Sequence, residues 1–146
     1  MTVGNKHPRR QARESVLQAL YALELTRDNP EKVIQDILSR YDFNEDTRTF
    51  VQDLYWKTVH NGSWIDEKIT RHLENWNFDR VARLDRLILR LAISELYFIE
   101  DVPPKVSITE AIEIARGYST EESPGFVNGI LDAVYKEMTD RDTTQT

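Results

Sequence analysis

The chain has 146 residues and is 40% hydrophobic; 19 Lys and Arg face 25 Asp and Glu, for a net charge of −6. That length suits one domain with a real core, residues 1–146, with a basic flexible start over 1–8 and a flexible tail over 140–146. The absence of cysteine excludes a disulfide framework and any thiolate metal site. No apolar run reaches the roughly 18 residues a membrane span needs. The start, MTVGNKHPRRQAR, has no apolar stretch behind its basic residues and so does not read as a secretory signal, which makes the cytoplasm the expected location. Charge is uneven, because Lys6, Arg9, Arg10 and Arg13 precede all 25 acids. An acidic body with a basic end suits either a localised anionic partner or a solvated tail.

Helix signals follow one another along the chain, and no stretch alternates as a strand would. A first helix is expected from Pro8 to Thr26. Asn29-Pro30 opens a second, to about Arg40, and Asn44 caps a third that ends at Asn61-Gly62. Ser63 with Asp66 resembles a capping box for a fourth, to about Asn75. Its buried face should hold Ile65, Ile69, Leu73 and Trp76. A fifth helix is expected from Asp79 to Glu100, stopped by Pro103-Pro104. It is apolar nearly all round, with a narrow polar stripe of Arg83, Arg86, Arg90 and Ser94, as a helix buried on several sides would be. Ser107 with Glu110 reads as the capping box of the sixth, to Gly117. Ser123-Pro124 opens the seventh. The fold class is all-α, about seven helices, with the fifth as a central post shared by two small bundles.

Enzyme motifs are scarce. His7, His60 and His72 are scattered, and no zinc-protease pair, phosphate loop or dinucleotide fingerprint appears. No catalytic residue, metal site or cofactor is expected, and binding is the better reading.

Three features suggest what is bound. At about 100° per residue, Arg9, Arg10 and Arg13 share a sector with Val16, Leu17 and Leu20. A guanidinium facing the core would be heavily desolvated, so the first turns are expected to overhang the bundle and grip phosphates. Trp64 lies about 120° from the buried face of its helix, on a stripe with Lys68 and Arg71. An aromatic flanked by cations suits a stacked base, although a half-buried tryptophan packed on a neighbour fits the same spacing. In SPGFVNGILDAV, Gly125 and Gly129 line up opposite the stripe of Val127, Ile130, Leu131 and Val134, and each costs a helix roughly 1 kcal/mol. Either a nucleotide or another helix comes close there.

The blocks RRQARESVLQALYALEL, LDRLILRLAISELYFIEDVPPKVSITEAIEIA and GFVNGILDAV together resemble the NusB family of bacterial transcription antitermination factors over residues 8–135. The resemblance implies two packed three-helix bundles and no catalysis. It implies binding of single-stranded boxA RNA in ribosomal RNA leaders, jointly with the ribosomal protein NusE, in an RNA polymerase antitermination complex. By position it places RNA contacts at Arg9, Arg10, Arg13, Trp64, Glu122 and Phe126, to which Lys6, Lys68, Arg71 and Gly129 are added from the reading above. It places a NusE-facing surface at Tyr21 and Asp85, with Leu25 one turn from Tyr21. Gln11 stands where the family commonly has arginine, and Trp64 where it often has tyrosine. Two other readings stay open: a non-catalytic fragment of a ribosomal RNA methyltransferase, and a purely protein-binding helical adaptor. Dimerisation, RNA sequence preference and direct contact with polymerase are not legible.

Overall fold

A computed structural model describes residues 8–74 and 77–145. Lys6, Asn75 and Trp76 therefore lie outside the described residues. The described chain is all-α: α1 (Pro8–Thr26), α2 (Pro30–Leu38), α3 (Glu45–His60), α4 (Gly62–Arg71), α5 (Arg83–Phe98), α6 (Pro104–Tyr118) and α7 (Ser123–Gln145). A 3₁₀ turn over Phe78–Arg80 precedes α5.

Where helix starts rest on local chemistry, the expectation holds. The Asn29 side chain accepts the Glu31 and Lys32 N–H groups at 2.8 and 3.4 Å, with Pro30 at the first helical position. The Asn44 side chain accepts Thr47 N–H at 2.8 Å, and Glu45 and Asp46 favour the positive end of α3. Both expected capping boxes fail, because their acids have tertiary partners. Asp66 takes both arms of Arg90 at 2.7 Å. Ser107 donates to Glu95 and Glu110 receives Arg10, so α6 opens three residues earlier, at Pro104. α5 also starts later than expected. Val81 and Ala82 are extended, which separates the turn around Asp79 from the helix. α7 runs to Gln145, through the residues expected to form a tail.

α1, α2 and α3 pack on one another, as do α5, α6 and α7, while α4 bridges to α5 and α7. α5 touches α1, α3, α4, α6 and α7 and buries Leu87, Ile88, Leu89, Leu91, Ala92 and Ile93. The two three-helix bundles thus share one continuous core around a central post. The polar stripe of α5 is an ionic seam. Glu24 on α1 accepts both arms of Arg86 at 2.7 and 2.8 Å, and Arg83 approaches it to 2.7 Å. The Arg86 hydrogen bond, opposed by burial, holds the Glu24 carboxyl below its usual range. Ser94 on the same helix is fully buried, and among the described residues its hydroxyl lacks a hydrogen-bond partner.

Candidate nucleic-acid interface

The basic start of α1 does not overhang the bundle. Arg13 is 3% exposed and donates through Nε to Glu95 at 2.8 Å, with a second bond from the other arm. Glu95 is 1% exposed and also accepts the Ser107 hydroxyl at 2.8 Å. Arg10 reaches Glu110 on α6 with two bonds, at 2.9 and 2.8 Å. Arg9 lies 4.1 Å above the Phe50 ring and 3.5 Å from Asp46 on α3. Desolvation was expected to force the arginines outward; instead, acids on α3, α5 and α6 meet them. A buried guanidinium is tolerated when it is paired and hydrogen-bonded, as Arg13 is. Arg9 and Arg10 keep about a third of their side-chain surface, 27% and 33% exposed. Arg13 has none to offer a ligand.

Trp64 sits where its phase on α4 put it, 37% exposed. Its ring meets Tyr97 edge-on at 4.8 Å and leans on Phe98 at 5.6 Å, so α5 holds it from one side. Lys68 differs from expectation, because it is buried rather than flanking in solvent. Its Nζ lies 5.0 Å from the Trp64 ring and 5.4 Å from that of Tyr97, and donates to Glu137 at 3.0 Å. Two ring faces and a carboxylate compensate its desolvation. Arg71 is half exposed and donates to the same Glu137 oxygen at 2.7 Å. Trp64, Lys68, Arg71 and Glu137 line one open hollow.

Arg71 also borders a second hollow of about 480 Å³, between the end of α4 and the first turns of α7. Gly125 and Gly129 form part of its wall beside His72, Phe126 and Ile130. A Cβ added to either glycine would find nothing within 4 Å. Among the described residues no helix packs on this face. That volume lies within the roughly 300–1,000 Å³ range of ligand sites. Phe126 is half-buried and lines both this hollow and a third, whose lining includes Glu122, Asp85, Arg80 and Val81. Trp64, Arg71, the glycine face, Phe126 and Glu122 therefore border adjoining hollows. The arginines of α1 are anchored separately, on α3, α5 and α6.

Ser123 does not cap α7 as expected. Its hydroxyl accepts Thr120 N–H at 3.1 Å and donates to Ser119, which donates to Asp85 at 2.7 Å. That chain ties the α6–α7 loop to the first turn of α5 and leaves Asp85 only 8% exposed. Asp85 thus belongs to an internal network rather than to the open partner surface expected of it. Tyr21 and Leu25 remain exposed, at 37% and 52%, and Arg83 lies 6.0 Å from the Tyr21 ring.

The residues that sequence reasoning missed are the acids Asp46, Glu95 and Glu137, while Glu110 was marked as a capping-box acid and not as the partner of Arg10. No local spacing marks these pairings, since each acid meets its cation from a distant part of the chain. Among the described residues no group of three or more His, Cys, Asp or Glu could hold a metal ion, and no helix is long and apolar enough to cross a membrane.

The family model described as the NusB family matches residues 10–136. The chain is 44% identical over 132 residues to the transcription antitermination protein NusB of Chloroherpeton thalassium (strain ATCC 35110 / GB-78), covering 89% of this chain and 62% of that protein. It therefore spans less than two thirds of that relative's length. Its fold is similar to a solved structure of T. maritima NusB, with a TM-score of 0.82 at 41% identity, covering 90% of this chain and 93% of that one. It is also similar to a chain from the crystal structure of the antitermination factors NusB and NusE in complex with dsRNA. There the TM-score is 0.81 at 28% identity, covering 89% and 97%.

Proposed function

Because the chain belongs to the NusB family, we propose that it is an RNA-binding transcription antitermination factor. It binds the boxA segment of ribosomal RNA leader transcripts, as a single strand and together with NusE, and promotes read-through by RNA polymerase in the cytoplasm. Its work is binding rather than catalysis. The observation that carries the reading is the uncovered glycine face between Arg71 and Phe126. Two glycines inside α7 each cost roughly 1 kcal/mol of helix stability, and among the described residues no packed neighbour explains them. A backbone left bare beside a cation and an aromatic edge suits a sugar-phosphate chain lying close, with a base stacked on Trp64. Arg9 and Arg10 would add phosphate contacts through their exposed thirds, and Glu122 a polar contact beyond Phe126. Arg13 supports the helix that carries them. Tyr21 and Leu25 form an aromatic-aliphatic patch of the kind that anchors a protein partner, here NusE.

The test is a titration of a boxA-like RNA and a scrambled control, each with and without NusE. Preference for the boxA-like strand, tightened by NusE and weakened by salt, is expected. Equal binding of both strands under both conditions would refute the assignment. Binding to NusE with no gain in RNA affinity would favour the protein-adaptor reading.

A further inference from the structure

Glu137 stands in the wrong place for a residue of an RNA surface. Its Oε2 accepts from Lys68 at 3.0 Å and from Arg71 at 2.7 Å, and its Oε1 lies 2.8 Å from His72 Nε2. Both cations beside Trp64 thus converge on one carboxylate oxygen, much as they would on a phosphate oxygen. Lys68 is buried against the Trp64 and Tyr97 rings, with its ammonium donating to Glu137. Arg71 is offset further by Glu67 at 3.5 Å. The hollow a stacked nucleotide would enter has Glu137 as part of its wall, 23% exposed.

We infer that Glu137 is an internal counter-anion that limits RNA affinity, occupying the phosphate position between Lys68 and Arg71 beside the Trp64 platform. The inference rests on the RNA-binding reading above. It follows from two properties of charge. A phosphate placed on Trp64 meets a like charge at close range, which disfavours it. Cations already matched by a carboxylate release fewer counterions from the nucleic acid, so the hollow contributes less to the salt-dependent part of binding. The same carboxylate also pins α7 to α4, which keeps the cations ordered while their charge is masked. Affinity at this hollow is therefore low until contacts elsewhere, from the rest of the RNA or from a protein partner, offset the repulsion. Glu137 is a positioning and affinity-setting residue, not one the RNA needs for attachment.

The experiment uses the full chain and a boxA-like single strand, titrated at several salt concentrations, with melting temperature as the control for folding. Glu137→Gln removes the charge at nearly constant shape; Glu137→Asp keeps it. The Gln variant is expected to bind about tenfold tighter, with a slope of log affinity against log salt steeper by about 0.7, one further phosphate contact. The Asp variant is expected to stay within about twofold of the parent, because its charge is retained. Unchanged or weaker binding by Glu137→Gln overturns the inference, and makes Glu137 a support for the cations instead. Parental binding that Trp64→Ala weakens but Glu137→Gln leaves alone defeats this inference only. No binding by parent or variants would defeat the RNA-binding reading with it.

Discussion

Arg13→Ala is expected to lower stability by about 3–5 kcal/mol, the usual cost of removing one partner from a buried ion pair. In a chain of this length that is a fall in melting temperature of roughly 10 °C or more. Glu95 is almost fully buried, and among the described residues the Ser107 hydroxyl on α6 would remain as its side-chain hydrogen-bond donor. An isolated carboxylate there must either take up a proton or open the seam between α1, α5 and α6. Any RNA binding lost in this variant should follow the loss of folded protein. A paired change, Arg13→Met with Glu95→Met, should recover much of the stability, since replacing both charges removes the desolvation cost together with the attraction. Thermal melts of the single and paired variants check this. Parental melting temperature in Arg13→Ala, with RNA binding abolished, would show instead that the guanidinium serves the ligand.

Trp64→Ala is expected to weaken RNA binding by about 1–3 kcal/mol, the range for loss of one base–aromatic stack. The stability cost should be smaller, because the ring is partly exposed and packs mainly by its contacts with Tyr97 and Phe98. Trp64→Phe keeps an aromatic face and should retain most of the affinity. Equilibrium RNA titrations alongside melting curves separate the two effects. A folded alanine variant with parental affinity would remove Trp64 from the interface.

Much of the fold was legible because helix boundaries and buried stripes are local. Asn29, Pro30 and Asn44 act within one turn, and the nearly continuous apolar surface of α5 marks it as central from composition alone. The failures share a cause. The phase of Arg13, shared with Val16, Leu17 and Leu20, pointed inward, and the expectation of an overhang rejected that signal because burial of an unpaired charge is costly. The partner, Glu95, lies 82 positions away and has no sequence mark. Ser107 and Glu110 are spaced as a capping box, yet Glu95 and Arg10 engage them first. Helical spacing puts Lys68 beside Trp64 but does not mark Glu137, which pairs with it in a buried setting. Periodicity fixes which way a side chain faces; whether an acid waits there is a tertiary fact. The glycines show the reverse. Their alignment opposite the apolar stripe is local, whereas the open space beside them among the described residues is tertiary.

That bare face is the centre of the proposed interface. Gly129→Leu introduces a side chain whose Cβ meets nothing within 4 Å, and it replaces a poor helix former inside α7 with a good one. Melting temperature should hold or rise while affinity for a boxA-like RNA falls by about tenfold or more, a loss of about 1.4 kcal/mol or greater. RNA binding that survives unchanged in this stable variant would mean that the strand does not cross the glycine face, and the interface proposed between α4 and α7 would be wrong.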